Sequence, residues 1–167
     1  MDKQQSLQIL GIGSNFDFAG STWEVIGAHQ YNWSDDSISI EYKVKTSKEV
    51  AYLEVEFDDD TNQILLEFSA KINRRDLEPD MNIDLFNDEE VLVELKYKDE
   101  MYDLEEIYEG TCTNMFDDED GEDLTNFSYC NEDFFVNIVL NDDDTLDFTA
   151  GEYLDLEDLT NFKNHIV

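Results

Sequence analysis

The stretch DDDTNQILLEFSA at residues 58–70 returns in shortened form as DDDTLDFTA at residues 142–150. Each copy starts with aspartates and a threonine, which are typical of a turn because their side chains bond the nearby backbone. Each copy then alternates apolar and polar residues, and this alternation predicts a strand. Further positions match outside the two stretches: Phe18, Trp23 and Val25 correspond to Tyr97, Tyr102 and Leu104. The sequence therefore predicts two related β modules in tandem.

The rest of each half also shows the period of two that is typical of strands. Ile38, Ile40, Tyr42 and Val44 alternate with polar residues, and residues 91–97 repeat the pattern in the second half. Turn-forming residues separate such runs, which favours antiparallel sheets. We predict an all-β fold of two small antiparallel modules, barrel- or sandwich-like, with helix limited to a turn or two around residues 153–162.

The only proline, Pro79, lies in NRRDLEPDMN at residues 73–82. Proline interrupts a central strand, so this segment predicts the boundary between a first module, residues 1–80, and a second module, residues 81–167. A module of roughly 80 residues buries little core by itself. We therefore expect the two modules to pack on one another.

The charge is strongly unbalanced, with 10 basic and 43 acidic residues and a net charge of −33. Residues 81–167 alone carry 27 acidic and 3 basic residues. With 41% hydrophobic and 13% aromatic residues, the chain can still form a packed core. Its field repels nucleic acid and anionic lipid and attracts basic proteins, polyamines and cations. Solubility or a salty habitat is the alternative interpretation.

The acidic runs of the second module are the candidate partner-binding residues. They fall in predicted loops, where side chains can point outward together. The set comprises Asp117, Asp118, Glu119, Asp120, Glu122, Asp123, Asp142, Asp143 and Asp144. A calcium loop is the alternative for residues 116–123, but Phe116 would occupy the first ligand position and cannot ligate. For the two DDDT turns, metal binding stands against ordinary hairpin chemistry, which we favour.

The sequence offers no catalytic constellation. His29 lies in a predicted strand, where a half-buried histidine with a local partner is the usual role, and no nucleophile is placed beside it as a general base would require. Cys112 and Cys130 form no metal-binding motif and are expected to be free thiols. We predict no catalytic residue, no metal ligand and no cofactor.

Two further pairs carry structural expectations. We expect Trp23 in the core and Trp33 at its rim, with ligand stacking as the alternative role for both. Arg74 and Arg75 are adjacent cations in an acidic chain and are expected to bridge to carboxylates at the boundary between the modules.

Residues 13–68 resemble the bacterial domain-of-unknown-function family 4178. The resemblance rests on a small residue before an aromatic-x-Val pair, a glycine and two aromatics, an acidic turn, and two following strands. The matching residues are Gly20, Ser21, Thr22, Trp23, Glu24, Val25, Gly27, Tyr31, Trp33, Ser34, Asp35, Asp36, Glu41, Tyr42 and Leu53. The resemblance implies an all-β bacterial cytoplasmic module, often encoded near polyamine-synthesis-like and membrane-associated stress genes. It implies no catalytic residues.

The chain has no apolar run of membrane-spanning length, and its first residues lack signal-peptide features. We therefore expect a cytoplasmic protein without membrane insertion and without direct nucleic-acid binding. The predicted function is non-catalytic: the protein docks a basic protein partner, or polyamines or cations, and modulates that partner. It would act as an adaptor or as an inhibitor or immunity-like protein, and nucleic-acid mimicry is one form that such inhibition takes. The alternative is a carboxylate-based cation-binding protein or metal-dependent enzyme.

Overall fold

A computed structural model describes residues 3–8, 10–58, 61, 63–86, 90–116 and 121–163. Within these residues the chain forms one short helix, α1 (Lys3–Gln8), and twelve strands, which confirms the all-β prediction. The strands are β1 (Asn15–Phe18), β2 (Ser21–Trp33), β3 (Ile38–Lys45), β4 (Val50–Asp58), β5 (Gln63–Lys71), β6 (Leu77–Glu78), β7 (Glu94–Tyr97), β8 (Glu100–Asn114), β9 (Glu122–Cys130), β10 (Phe134–Asn141), β11 (Leu146–Leu154) and β12 (Thr160–Lys163). No helix in this part of the chain is long and apolar enough to cross a membrane.

All strands belong to one antiparallel sheet in the order β12-β1-β2-β3-β4-β5-β11-β10-β9-β8-β7-β6. The second half of β2 also pairs with the second half of β8, with Tyr31 opposite Cys112 and Trp33 opposite Gly110. This pairing closes β2, β3, β4, β5, β11, β10, β9 and β8 into a ring of eight strands. The remaining four strands extend the sheet outside the ring.

The two halves of the chain meet at two strand pairs, β2–β8 and β5–β11. Asn32 lies opposite Thr111 in the first pair, and Ala70 lies opposite Ala150 in the second. Strands β1–β5 and β7–β11 are connected in the same order along the chain. The origin of this arrangement in a repeat, and the division into modules at residues 80 and 81, stay predictions.

Close contact at both pairs requires glycine. A Cβ atom at Gly151 would lie 2.0 Å from the carbonyl oxygen of Phe68, inside the β5–β11 pair. A Cβ atom at Gly110 would lie 2.6 Å from the ring of Trp33, inside the β2–β8 pair. Any side chain at these positions would force the backbones apart. The two glycines thus permit the ring to close.

Hydrophobic side chains lie on the outer face of the ring, in two separate clusters. One cluster packs strands β2–β5 against α1, β1 and β12, and it includes Trp23, only 4% exposed, which confirms the core prediction for that residue. The other packs β8–β11 against β6, β7 and the segment between them, with Tyr129 fully buried. The covering segments are needed because most of the buried apolar residues of the ring strands face away from its interior, Phe135 of β10 being an exception that belongs to neither cluster.

The segment predicted as helix, residues 153–162, is mostly extended. Strand β11 continues to Leu154, a single 3-10 turn spans Leu156–Asp158, and β12 follows. The prediction of one or two helical turns is right only for that turn, because β12 gains its hydrogen bonds by pairing with β1. Helix α1 was not predicted, and it forms because Leu7 is buried in the first cluster.

Candidate functional site

A cavity of about 540 Å³ lies inside the ring. Side chains from seven of the eight ring strands line it, and most of them are polar. The lining includes Trp33, Glu54, Glu56, Glu67, Glu105, Glu106, Tyr108, Asn126, Ser128, Asn137 and Tyr153. Glu105, Glu106 and Tyr153 are exposed, so the cavity opens to solvent beside them. We call this space the interior cavity.

A row of three glutamates crosses the first half of the ring. Glu41 lies directly opposite Glu54, and Glu54 lies directly opposite Glu67, on β3, β4 and β5. Burial, followed by the charge of Glu54, raises the pKa of Glu41 to about 8. Burial also raises the pKa of Glu54, and it raises that of Glu67 well above the usual value. The proximity of Glu54 further raises the pKa of Glu67, as expected where two enclosed carboxyl groups cannot both ionise.

Hydroxyl and indole groups hold this row in place. Tyr31 Oη donates to Glu41 Oε1 at 3.2 Å, and Ser39 Oγ donates to Glu54 Oε1 at 2.8 Å. Trp33 Nε1 donates in turn to Ser39 Oγ at 3.0 Å. The Trp33 ring stacks on Tyr31 with ring centroids 5.3 Å apart. The ring centroid of Tyr108 lies 5.7 Å from that of Trp33. The aromatic side chains are therefore fixed next to the carboxyl groups.

The opposite wall carries two buried acceptor atoms that lack a hydrogen-bond partner in the described part of the chain. The Oδ1 atoms of Asn126 and Asn137 are buried and have no hydrogen-bond partner among the described residues. Burial raises the pKa of Glu56, and the charges of Glu54, Asp35 and Glu106 add to this effect. Glu56 and Glu106 come from β4 and β8, across the ring from each other, so their carboxylates repel through the interior cavity.

A second cavity, of about 500 Å³, lies where β8, β9 and the β10–β11 turn meet the end of β2. Its apolar part is formed by Trp33, Leu124 and Leu140. Its acidic side chains are Glu109, Asp123, Asp142 and Asp144. We call this site the acidic groove.

The acidic groove brings together three of the residues predicted from sequence, Asp123, Asp142 and Asp144. Asp142, Asp143 and Asp144 lie exposed in the turn between β10 and β11, as expected. Asp143 accepts hydrogen bonds from Thr145 Oγ1 at 2.6 Å and from Thr145 N at 3.2 Å, and these bonds lower its pKa. Asp143 therefore serves the turn itself, whereas Asp142 and Asp144 line the groove.

The loop assignment of Glu122 and Asp123 is wrong. Both begin β9, because they pair with Cys112 and Thr111 of β8. Thr111 Oγ1 also donates to Asp123 Oδ1 at 3.0 Å, and both acids remain exposed. Four further predicted residues lie outside the described part of the chain: Asp117, Asp118, Glu119 and Asp120.

Among the described residues, Arg74 and Arg75 form no ion pair, so their expected bridges to carboxylates stay a prediction. Arg74 donates to the carbonyl oxygen of Met81 and lies over the ring of Phe148, and Arg75 donates to Asn73 Oδ1. The ion pairs among the described residues are Lys45–Glu24 and Lys96–Asp99.

Other candidate residues occupy ordinary strand positions. His29 lies half-buried in β2, opposite Glu41. Cys112 and Cys130 are free thiols, as predicted, and burial raises the pKa of each to about 11. Across the described residues, no three His, Cys, Asp or Glu side chains are grouped so as to hold a metal ion.

Sequence reasoning missed the interior cavity. Glu41, Glu54, Glu56 and Glu67 occupy the polar positions of alternating strands, and such positions normally face water. The only signal in the sequence is that glutamate recurs at these positions on three successive strands. The pairing that encloses them joins residues far apart in the chain.

No curated protein and no solved structure matches the chain. A family model described as a domain of unknown function, DUF4178, matches residues 11–156. The match confirms the resemblance recognised at residues 13–68 and extends it through the second half of the chain. Because it covers most of the sequence, the protein belongs to the DUF4178 family.

Proposed function

We propose that this protein is a non-catalytic binding protein that docks a basic protein partner at the acidic groove and modulates that partner. The observation that supports the proposal is the convergence of Glu109, Asp123, Asp142 and Asp144 on a cavity with an apolar part. Three of these four acids belong to the partner-binding set predicted from sequence.

The groove has the chemistry that suits a lysine or arginine side chain. Such a side chain has an apolar stem, which can lie along Trp33, Leu124 and Leu140, and a charged head, which can reach the carboxylates. Arginine is favoured over lysine, because its guanidinium group can pair with a carboxylate through two parallel hydrogen bonds. One inserted side chain of this kind is a typical anchor of an interface.

The net charge of −33 is the second feature that favours docking of a basic partner. A field of this sign attracts a basic protein over long range and raises the association rate, and salt weakens it. Two forms of the function are consistent with such docking in the cytoplasm. The protein is an adaptor, or it is an inhibitor or immunity-like protein that covers the nucleic-acid-binding surface of its partner. Residues 117–120 stay part of the predicted binding set.

The test compares two variants with the same change in charge. The groove variant is Asp123→Asn, Asp142→Asn and Asp144→Asn. Asparagine keeps the acceptor for Thr111 at position 123 and tolerates the positive φ of 64° at position 144. The control variant is Asp36→Asn, Glu78→Gln and Asp80→Asn, at exposed positions outside the groove.

Immobilised wild-type protein is exposed to a lysate of its own cells at low salt, and the retained proteins are identified by mass spectrometry. We expect a basic protein that the wild type and the control retain and the groove variant loses. Binding of that purified protein should then show an association rate that falls steeply with salt, while dissociation changes little. Equal retention by all three proteins, or loss in the control as well, would refute docking at the groove.

A further inference from the structure

The interior cavity is a second site, independent of the groove. The two share one lining residue, Trp33, and a ligand in the cavity would bind without a protein partner. Its volume of about 540 Å³ lies within the range of small-molecule sites, roughly 300–1,000 Å³. A closed ring of eight strands has an interior just wide enough for side chains or for one small ligand.

The cavity is acidic: Lys71 acts on Glu41 at the far end of the glutamate row, but Glu41 does not line the cavity. Six of its lining residues are carboxylic acids, and no lysine or arginine is among them. Neither ion pair of the described residues involves these six acids. Carboxylates that share an enclosed space repel each other and are costly to ionise. A cation between them would remove that cost.

The unsatisfied polar atoms of the cavity are all of one kind. Asn126 and Asn137 each present a buried Oδ1 atom without a partner among the described residues, and the carboxylates add further acceptors. A buried acceptor without a donor costs free energy. An ammonium group supplies three donors and a guanidinium group five, and neither has an acceptor. The cavity therefore suits a ligand that is both cationic and rich in N–H groups.

The positions of the acids decide between an inorganic ion and an organic cation. Glu54, Glu56 and Glu67 come from β4 and β5, whereas Glu105 and Glu106 come from β8 on the opposite wall. No three described acids are grouped to hold a metal ion. Trp33 of β2 and Tyr108 of β8 also line the cavity, and aromatic faces attract organic cations. A ligand with a charge at each end reaches both walls.

We propose that the interior cavity binds a small organic cation with amino or guanidino groups at both ends, one end at Glu54, Glu56 and Glu67 and the other at Glu105 and Glu106. The connecting part of the ligand lies against Trp33 and Tyr108. The amide oxygens of Asn126 and Asn137 accept hydrogen bonds from its N–H groups.

The test uses 1,6-diaminohexane as the probe and the neutral 1,6-hexanediol as its control. The two differ in charge and in their terminal groups but have the same carbon chain. Titration calorimetry and tryptophan fluorescence are measured at one ionic strength. The proteins are wild type, a cavity variant with Glu56→Gln and Glu106→Gln, and a surface control with Glu49→Gln and Glu78→Gln, in which both positions are exposed.

We expect saturable one-to-one binding of the diamine by the wild type, with a change in fluorescence because Trp33 lines the cavity, and no binding of the diol. The cavity variant should bind the diamine with a dissociation constant at least about tenfold higher, as expected for lost charged contacts. The surface control should stay within about twofold. Equal response to diamine and diol, equal weakening in both variants, or no saturable binding would overturn the proposal. Magnesium chloride that competes with the diamine would instead assign the site to an inorganic ion.

A second variant keeps the test valid if the cavity variant does not fold. Asn137→Leu removes the buried Oδ1 atom that lacks a hydrogen-bond partner among the residues that the structure describes, and it introduces no charge. If Asn137 binds the ligand, this variant should lose affinity for the diamine while its unfolding free energy stays the same or rises, since an unsatisfied polar atom is removed. Loss of stability with unchanged affinity would show that Asn137 is structural and would overturn its assignment to the ligand.

Discussion

Replacement of Glu41 by glutamine tests whether the glutamate row is protonated inside the ring. Burial, together with the charge of Glu54 directly opposite, raises the pKa of Glu41 from the usual 4.5 to about 8. In the unfolded chain this group returns to its usual pKa. Between these two values, the folded protein therefore holds a proton that the unfolded chain releases. The unfolding free energy must fall as the pH rises through this interval.

The magnitude follows from the two pKa values. Each pH unit between them costs about 1.4 kcal/mol of stability. From pH 5 to pH 8, near the ends of the interval, Glu41 should lower the unfolding free energy of the wild type by roughly 3 kcal/mol. Glutamine resembles the protonated acid and still accepts the hydrogen bond of Tyr31, so Glu41→Gln should be free of this loss.

Urea unfolding followed by tryptophan fluorescence measures the effect at constant ionic strength. The unfolding free energy of Glu41→Gln, relative to that of the wild type, should rise by roughly 3 kcal/mol between pH 5 and pH 8. Above pH 8.5 this difference should change little. Glu49→Gln makes the same change at an exposed position. Its unfolding free energy should change with pH as that of the wild type does, within about 0.5 kcal/mol. If Glu41→Gln also ran parallel to the wild type, Glu41 would be ionised in the folded protein and the enclosed row would be refuted.

Three further outcomes concern the fold. The melting temperature should rise between about 0.01 and 0.5 M sodium chloride, because salt screens the repulsion within a chain of charge −33, and calorimetry giving a flat or falling curve would contradict this. Trp23→Ala should lower the unfolding free energy by about 3–5 kcal/mol, since the ring is buried against Phe68 at 5.0 Å, and a near-neutral result in urea would remove it from the core. Gly151→Ala should prevent folding or cost more than about 3 kcal/mol because of its contact with Phe68, whereas Gly27→Ala, with 3.7 Å to its nearest neighbour, should cost about 1 kcal/mol or less; equal losses would disprove the close contact.

Strand positions were predictable because they depend on local pattern. The alternation at residues 38–44 gives β3, and its apolar members Tyr42 and Val44 are buried as the period of two requires. The doubled DDDT phrase likewise marks where β4 and β10 end, since Asp58 closes one strand and Asp142 follows the other. A residue and its close neighbours in the chain decide these features.

Closure of the ring was not predictable from pattern. It depends on the pairing of β2 with β8 and of β5 with β11, which join residues more than 70 positions apart. The sequence holds the condition for closure, two glycines at the contacts, but Gly110 and Gly151 look like any strand or turn glycine. The same limit explains Glu122 and Asp123: an acidic run predicts a loop, and only the distant partner strand β8 makes it a strand.

The arrangement of apolar and polar faces separates stability from binding in this protein. Hydrophobic clusters usually fill the space between strands, but here they lie outside the ring, where α1, β1 and β12 cover one cluster and β6 and β7 cover the other. The free energy gained by burying apolar surface therefore arises away from the interior cavity. The cavity walls carry acids and amides that contribute little to that gain and, where unpaired, oppose it. Such residues lower stability in the empty protein, and a ligand that pairs with them restores it. Substitutions at Glu56 or Asn137 should accordingly change affinity more than stability, whereas substitutions at Trp23 should do the reverse.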